Sequence, residues 1–172
     1  MEVFHTNEHK GTTFFIWAQG ADQWLGDGYY FWQDYEFAEE WAKVRRYPVA
    51  DIYTVDLDID FKKDDDVLDT VFNEEDYYGF INRIEKFARI YYNKFSVKPT
   101  LVDFNNYIQD NKISLWGNIK AIRFQDTPDN HQKSKKYLLV DKFPYKKRIQ
   151  IVIFDKEIIF NFAVKKLFTH KK

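Results

Sequence analysis

The stretch WLGDGYYFWQDYEFAEEWA (residues 24–42) holds three local signals that decide the fold. Gly26 and Gly28 bracket Asp27 and read as a turn, because glycine reaches backbone conformations closed to other residues. GYYFW (28–32) is a run of β-favouring aromatics and reads as a strand leaving that turn. Asp34 stands where an N-cap belongs. Phe37, Ala38, Trp41 and Ala42 recur at helical spacing, so 35–46 reads as an amphipathic helix. The aromatic density leaves two readings open: plain packing, or a ring that walls a site for a flat ligand.

Working outward, EVFHT (2–6) predicts a short strand around His5, and TTFFIWAQG (12–20) a short helix closed by Gly20. DIYTVDLDI (51–59) alternates and predicts a half-buried strand. KKDDD (62–66) reads as a solvated charged loop. In 74–95, Tyr77, Phe80, Ile81, Ile84, Phe87, Ala88 and Tyr91 form one helical stripe, with acidic residues early and basic ones late, as the helix dipole favours. A second helix is expected after Pro99, over 100–109. Strands are expected near 119–124 and 136–140, split by the polar loop QDTPDNHQKSKK (125–136). RIQIVIFDKEIIFNFAVKKL (148–167) places two β-rich runs either side of DKE and predicts a hairpin. Strands with helices interposed irregularly mean α+β. The length of 172 residues predicts one domain, 1–172, with the helical part at about 73–110 inserted into it.

Charged content of 31% and hydrophobic content of 45% are those of a soluble globular chain. The absence of cysteine excludes disulfides, zinc–thiolate sites and cysteine nucleophiles. No apolar run approaches the ~18 residues of a membrane span, and the N-terminus lacks a signal-peptide core, so a cytoplasmic protein without a membrane is expected. The formal net charge of -1 conceals an asymmetry. Residues 1–80 carry 6 Lys/Arg against 19 Asp/Glu, and residues 81–172 carry 20 against 8. The positive half suits nucleic acid, the negative half suits a basic partner, and pairing of the halves with each other explains the pattern equally well.

Several chemistries are unsupported. His5 and His9 are four apart, but Gly11 and the predicted strand argue against a helical pair, there is no HExxH, and no metal site is expected. Neither GxxxxGK[ST] nor GxGxxG occurs, and no serine sits in a nucleophile elbow. Three stretches remain: VFHT (3–6), GDGYYFW (26–32) leading into AEEWA (38–42), and QIVIFD (150–155). In the last, Ile149, Ile151 and Ile153 face one way, and Gln150, Val152 and Phe154 the other. A glutamine on a strand face needs hydrogen-bond partners, since an unpaired buried amide costs about 1–3 kcal/mol. Taken singly, His5 and Gln150 read as structurally satisfied polar residues and Tyr30 as core.

Together, the order and spacing of these stretches resemble the ADP-ribosyltransferase superfamily, the diphtheria-toxin-like and poly(ADP-ribose)-polymerase-like group. GDGYYF (26–31) matches the family's GxGxYF turn, with Tyr30 as the signature tyrosine, and His5 stands as the first-strand histidine. QIVIFD is similar to the family's late strand, with Gln150 in place of the usual glutamate. The resemblance covers roughly 1–60 and 147–165, and leaves the helical middle unmatched. It implies a split β-sheet core of that family, NAD as co-substrate and no metal. The implied catalytic residues are His5, Tyr30 and Gln150, and NAD would be bound by His5, Thr6, Gly28, Tyr30 and Trp41. Thr6 departs from the family's glycine after the histidine. Glutamine cannot act as a general base, so a single ADP-ribose unit would be transferred rather than a chain; Glu157 ranks second for that role.

The function so implied is mono-ADP-ribosyl transfer to a macromolecule by a toxin or defence effector, a role that would go with a neutralising protein partner. Lys133, Lys135, Lys136, Lys146, Lys147 and Arg148, with Tyr137 and Tyr145, would guide RNA or DNA as acceptor. Protein side chains are the other acceptor class. An inactive binding module of the same fold and an NAD glycohydrolase are the alternatives.

Overall fold

The computed structural model describes residues 1–11, 15–20, 23, 25–126 and 147–169. It is an α+β arrangement of one seven-stranded mixed sheet and three helices. In chain order the elements are β1 (Glu2–Glu8), β2 (Tyr29–Trp32), α1 (Tyr35–Val44), β3 (Val49–Leu57), β4 (Val67–Asp69), α2 (Glu74–Phe95), α3 (Leu101–Asp110), β5 (Ala121–Asp126), β6 (Arg148–Ile153) and β7 (Ile159–Thr169). The sheet order is β4-β5-β6-β2-β1-β3-β7. All pairings are antiparallel except β4 with β5. The β1–β2 junction rests on a single register pair, Phe4 with Trp32, whereas β1 and β3 pair along seven.

Alternation gives each central strand two buried faces. Val3, Phe31, Tyr53, Val55, Ala121, Ile151 and Ile153 build a core on one face, packed by Phe15, Phe61 and Ile158 from connecting segments. We call this the loop face. On the other, the helix face, Phe4, Trp32 and Ile52 meet Phe37 and Ala38 of α1. Further along, Ile122, Phe124 and Val152 meet Leu25 and Trp116, with Phe80 and Ile84 of α2 packed against them. The ring of Phe80 stacks on that of Trp116 at 5.2 Å. No residue of α2 is fully buried, so the expected stripe touches the sheet at only part of its length. Asn73 caps α2 by accepting from the Glu75 and Asp76 amides, and Thr100 with Asp103 forms a reciprocal capping box at α3.

Two sequence expectations are corrected. First, 148–167 forms no hairpin: β6 lies between β2 and β5, while β7 pairs with β3 at the far edge. Both hydrogen-bonding edges of β6 are taken by other strands. One turn of 3-10 helix, Lys156–Ile158, redirects the chain, with the Asp155 side chain accepting from the Glu157 amide and the Ile158 carbonyl accepting from the Asp58 amide. Second, residues 15–20 of the expected 12–20 helix are not helical. Ala18 bridges Gly28 in antiparallel fashion, so the segment completes the aromatic turn. The short β4 follows directly on the charged run and had no sequence signal of its own. The expected strand at 136–140 lies outside the described residues.

Candidate functional site

The three strands that carry His5, Tyr30 and Gln150 are adjacent at the centre of the sheet, in the order β6-β2-β1. Trp32 links them, since it registers with Gln150 on one side and with Phe4 on the other. The turn before β2 is built as the glycines suggest. Gly26 sits at φ +85°, and a Cβ at Gly28 would lie 2.6 Å from Val152 Cγ2 and 3.1 Å from the Ile153 carbonyl. Gly28 is therefore what lets this turn approach β6. The Tyr30 phenol closes the same turn: it donates to the Gly26 carbonyl (2.7 Å) and accepts from the Leu25 amide (3.1 Å). Burial raises its pKa far above the ordinary tyrosine value, so it stays protonated.

His5 lies on the loop face, only 7% exposed, with its ring against Phe15, Phe31 and Tyr53. Nδ1–H donates to the Tyr30 carbonyl at 2.7 Å. Nε2 lies 2.6 Å from the Asn7 Oδ1 position, which the amide NH2 takes when the side chain is turned over, and accepts a long bond from the Ile16 amide. Burial pushes the His5 pKa down, so the ring is neutral and Nε2 keeps its lone pair. A neutral ring requires Asn7 to present its NH2 group to Nε2. The Tyr53 hydroxyl also bonds Asn7, and Asp51, 4% exposed beside Asn7 in register, holds His9 at 2.9 Å.

The remaining candidates lie on the helix face. Thr6 donates its hydroxyl to the Ala38 carbonyl at 2.8 Å, fastening α1 to β1. Trp41 packs half-buried against Trp32, 5.9 Å between centroids. Gln150 is half-buried between Trp32 on β2 and Phe124 on β5, its register partners. Two residues along, Arg148 pairs with Asp126 at 2.8 Å, lies over the Trp32 ring at 5.0 Å, and keeps a buried Nε–H without an acceptor among the described residues. Tyr30, Trp41, Gln150 and Thr6 thus share one face, and the His5 ring is on the other. His5 and Tyr30 are joined through backbone, while the two side chains point away from each other. Glu157 is exposed in the 3-10 turn, away from the β2–β6 seam.

Sequence reading missed Asn7, Asp51 and Tyr53, and named Arg148 only as a residue guiding nucleic acid. The alternation His5–Asn7–His9 on a strand does place those three on one face. That Asp51 and Tyr53 face them follows only from the β1–β3 register. Of the basic residues expected to receive nucleic acid, Lys133, Lys135, Lys136, Lys146 and the two tyrosines lie outside the described residues; Lys147 turns to the loop face and Arg148 to the helix face. Among the described residues, no cluster of three or more His, Asp or Glu side chains is placed to hold a metal ion, and no helix is long and apolar enough to cross a membrane. No protein-family model, no curated protein and no solved structure matches this chain.

Proposed function

We propose that this chain is a mono-ADP-ribosyltransferase that moves one ADP-ribose unit from NAD to a macromolecular acceptor. The observation that carries the reading is that three motif strands, remote in sequence, are neighbours in the sheet, with Tyr30 and Gln150 on one face. Two groups on that face suit the donor: the half-buried amide of Gln150 for a ribose hydroxyl, and the Arg148 guanidinium, already paired with Asp126, whose exposed edge would meet a phosphate. NAD supplies the activated nicotinamide–ribose bond. The chain's own contribution is orientation: the half-buried ring of Trp41 would flank a flat group, and Gln150 would fix the sugar before the bond breaks. Gln150 withdraws no proton, which limits transfer to an acceptor that needs little activation. His5 acts as a positioning residue in this reading, setting β2 through the Tyr30 carbonyl from the opposite face.

A second reading has its own support. The Tyr30 phenol is committed to its turn and His5 faces away from Gln150, which favours a binding module of similar build that performs no transfer. Incubation with isotopically labelled NAD and cell lysate separates the possibilities. Label on a protein or nucleic-acid fraction supports transfer. Free nicotinamide without labelled product means hydrolysis, and neither product leaves the binding module. For a transferase, Gln150→Ala is expected to lower kcat at least about tenfold with little change in KM for NAD, because its contact belongs mainly to the transition state. His5→Gln is expected to change kcat together with thermal stability, as a positioning role demands.

A further inference from the structure

The loop face carries a second feature, at the β4–β5 edge. Phe72 is 60% exposed, yet the turn that bears it is held firmly. Asp69 Oδ1 accepts from the Val71 and Phe72 amides (3.2 and 3.1 Å), the Asn73 amide donates to the Asp69 carbonyl (3.1 Å), and Thr70 gives both its amide and its hydroxyl to the Arg123 carbonyl (3.0 and 2.8 Å). The other carboxylate oxygen of Asp69 holds Arg123 at 2.9 Å. The Arg123 guanidinium then lies 4.1 Å from the Phe61 ring centroid and 5.4 Å from that of Phe72. Lys147 stands 5.0 Å from the Phe72 ring. Beside this ring is a concavity of about 510 Å³ lined in part by Ile59, Phe61, Lys62, Asp69, Phe72 and Arg123. That volume lies within the ~300–1,000 Å³ typical of small-ligand sites.

An exposed aromatic ring normally gains nothing from such fixation. Here a single carboxylate fixes the turn and one of the two cations at the same time, so ring and charge are presented as a unit. The two acidic groups at the concavity are matched, Asp69 by Arg123 and Asp60 by Lys63 at 3.0 Å. Lys62 and Lys147 have no carboxylate partner among the described residues, and the Arg123 Nε–H is buried without an acceptor there. A flat π-face flanked by two cations, Arg123 held by Asp69 and Lys147 without a carboxylate partner among the described residues, suits single-stranded nucleic acid: a base stacks on the ring and the adjoining phosphates meet the charges. A duplex keeps its bases stacked inside and offers the ring nothing.

We propose that Phe72, Arg123 and Lys147 form a binding platform for single-stranded nucleic acid. The binding stands independently of ADP-ribose transfer; if transfer also holds, the platform docks the acceptor, a step that rests on the reading above. The test contains no NAD, so its failure leaves that reading untouched. Fluorescence anisotropy with a labelled oligouridylate and with a duplex of equal length, on the full chain, reads the platform directly. Single strand is expected to bind, and duplex at least about tenfold more weakly. Phe72→Ala is expected to weaken single-strand binding about tenfold, at the scale of one lost base stack, with the salt slope unchanged. Phe72→Trp restores it. Lys147→Gln is expected to reduce the slope of log K against log salt by about 0.7, the loss of one phosphate contact on a single strand. Equal binding by wild type and Phe72→Ala, equal binding of single strand and duplex, or no binding by wild type would each overturn the proposal. Because Phe72 is exposed, an unchanged melting temperature in Phe72→Ala certifies that the variant is folded.

Discussion

The two faces of the sheet treat the same residue, Tyr30, in opposite ways. On the loop face its carbonyl is held by a buried neutral histidine; on the helix face its phenol is tied to the turn that launches β2. The loop face is a densely packed aromatic core with polar groups at its two ends, His5, Asn7, Asp51 and Tyr53 at one and Asp69 with Arg123 at the other. The helix face is divided between α1 and α2, and the seam between them is floored by Gln150 and Arg148, both only half-buried. The difference teaches that burial alone does not mark a site. His5, deeply buried, has its hydrogen bonds met inside the fold, whereas Gln150 and Arg148 are less buried, Arg148 being paired with Asp126 and keeping an Nε–H without an acceptor among the described residues.

The contrast can be broken most forcefully at Phe31, fully buried on the loop face and in contact with both His5 and Phe15. Phe31→Ala is expected to cost about 3–5 kcal/mol, measured by denaturant unfolding; a cost below 1 kcal/mol would mean that this face is not the main core. Gly28→Ala tests the approach of the turn to β6. The added Cβ meets both a side chain and a backbone carbonyl, so a loss of about 1–3 kcal/mol is expected, and a neutral result would show that the seam is loose.

His5→Gln sharpens the comparison through pH. The folded ring has a lowered pKa, so below about pH 6.5 the unfolded chain binds a proton that the native ring refuses. The stability contributed by neutral His5 is complete above that pH and falls as pH drops toward the folded value, by at most about 1.4 kcal/mol per pH unit. Thermal melts across this range should show that slope in wild type and lack it in the variant. The smallest expected effect is that of Tyr30→Phe. It removes the bonds to Gly26 and Leu25 but keeps the ring in place, for a loss of about 1 kcal/mol and no change in the pH profile.

Much of the fold is legible locally. The helix Glu74–Phe95 is bounded as its periodicity and charge gradient indicate, and α1, α3, β1, β2, β3 and β5 fall within a few residues of where alternation and capping place them. These signals survive because side-chain period and cap chemistry act over one or two turns of chain. The failures share a cause. The run 148–167 has every local mark of a hairpin, yet the competition for strand edges is settled by β2, β5 and β3. TTFFIWAQG has helical spacing, yet its Ala18 is claimed by the backbone of Gly28. At the site, the turn glycines and the alternation of β6 were readable, whereas the face taken by His5 was not, because a strand in isolation has no preferred side.

The sequence by itself determined the type of most elements, the glycine turn, and the set of chemically capable residues His5, Tyr30 and Gln150, since each follows from the character of a residue and its near neighbours. Only the tertiary structure decided that β6, β2 and β1 lie side by side, that His5 is spent on the Tyr30 backbone and Arg148 on Asp126, and that Phe72 meets Arg123 and Lys147. Those outcomes depend on edge pairing and burial between segments as far apart as residues 5 and 150, and no short window of chain carries that information.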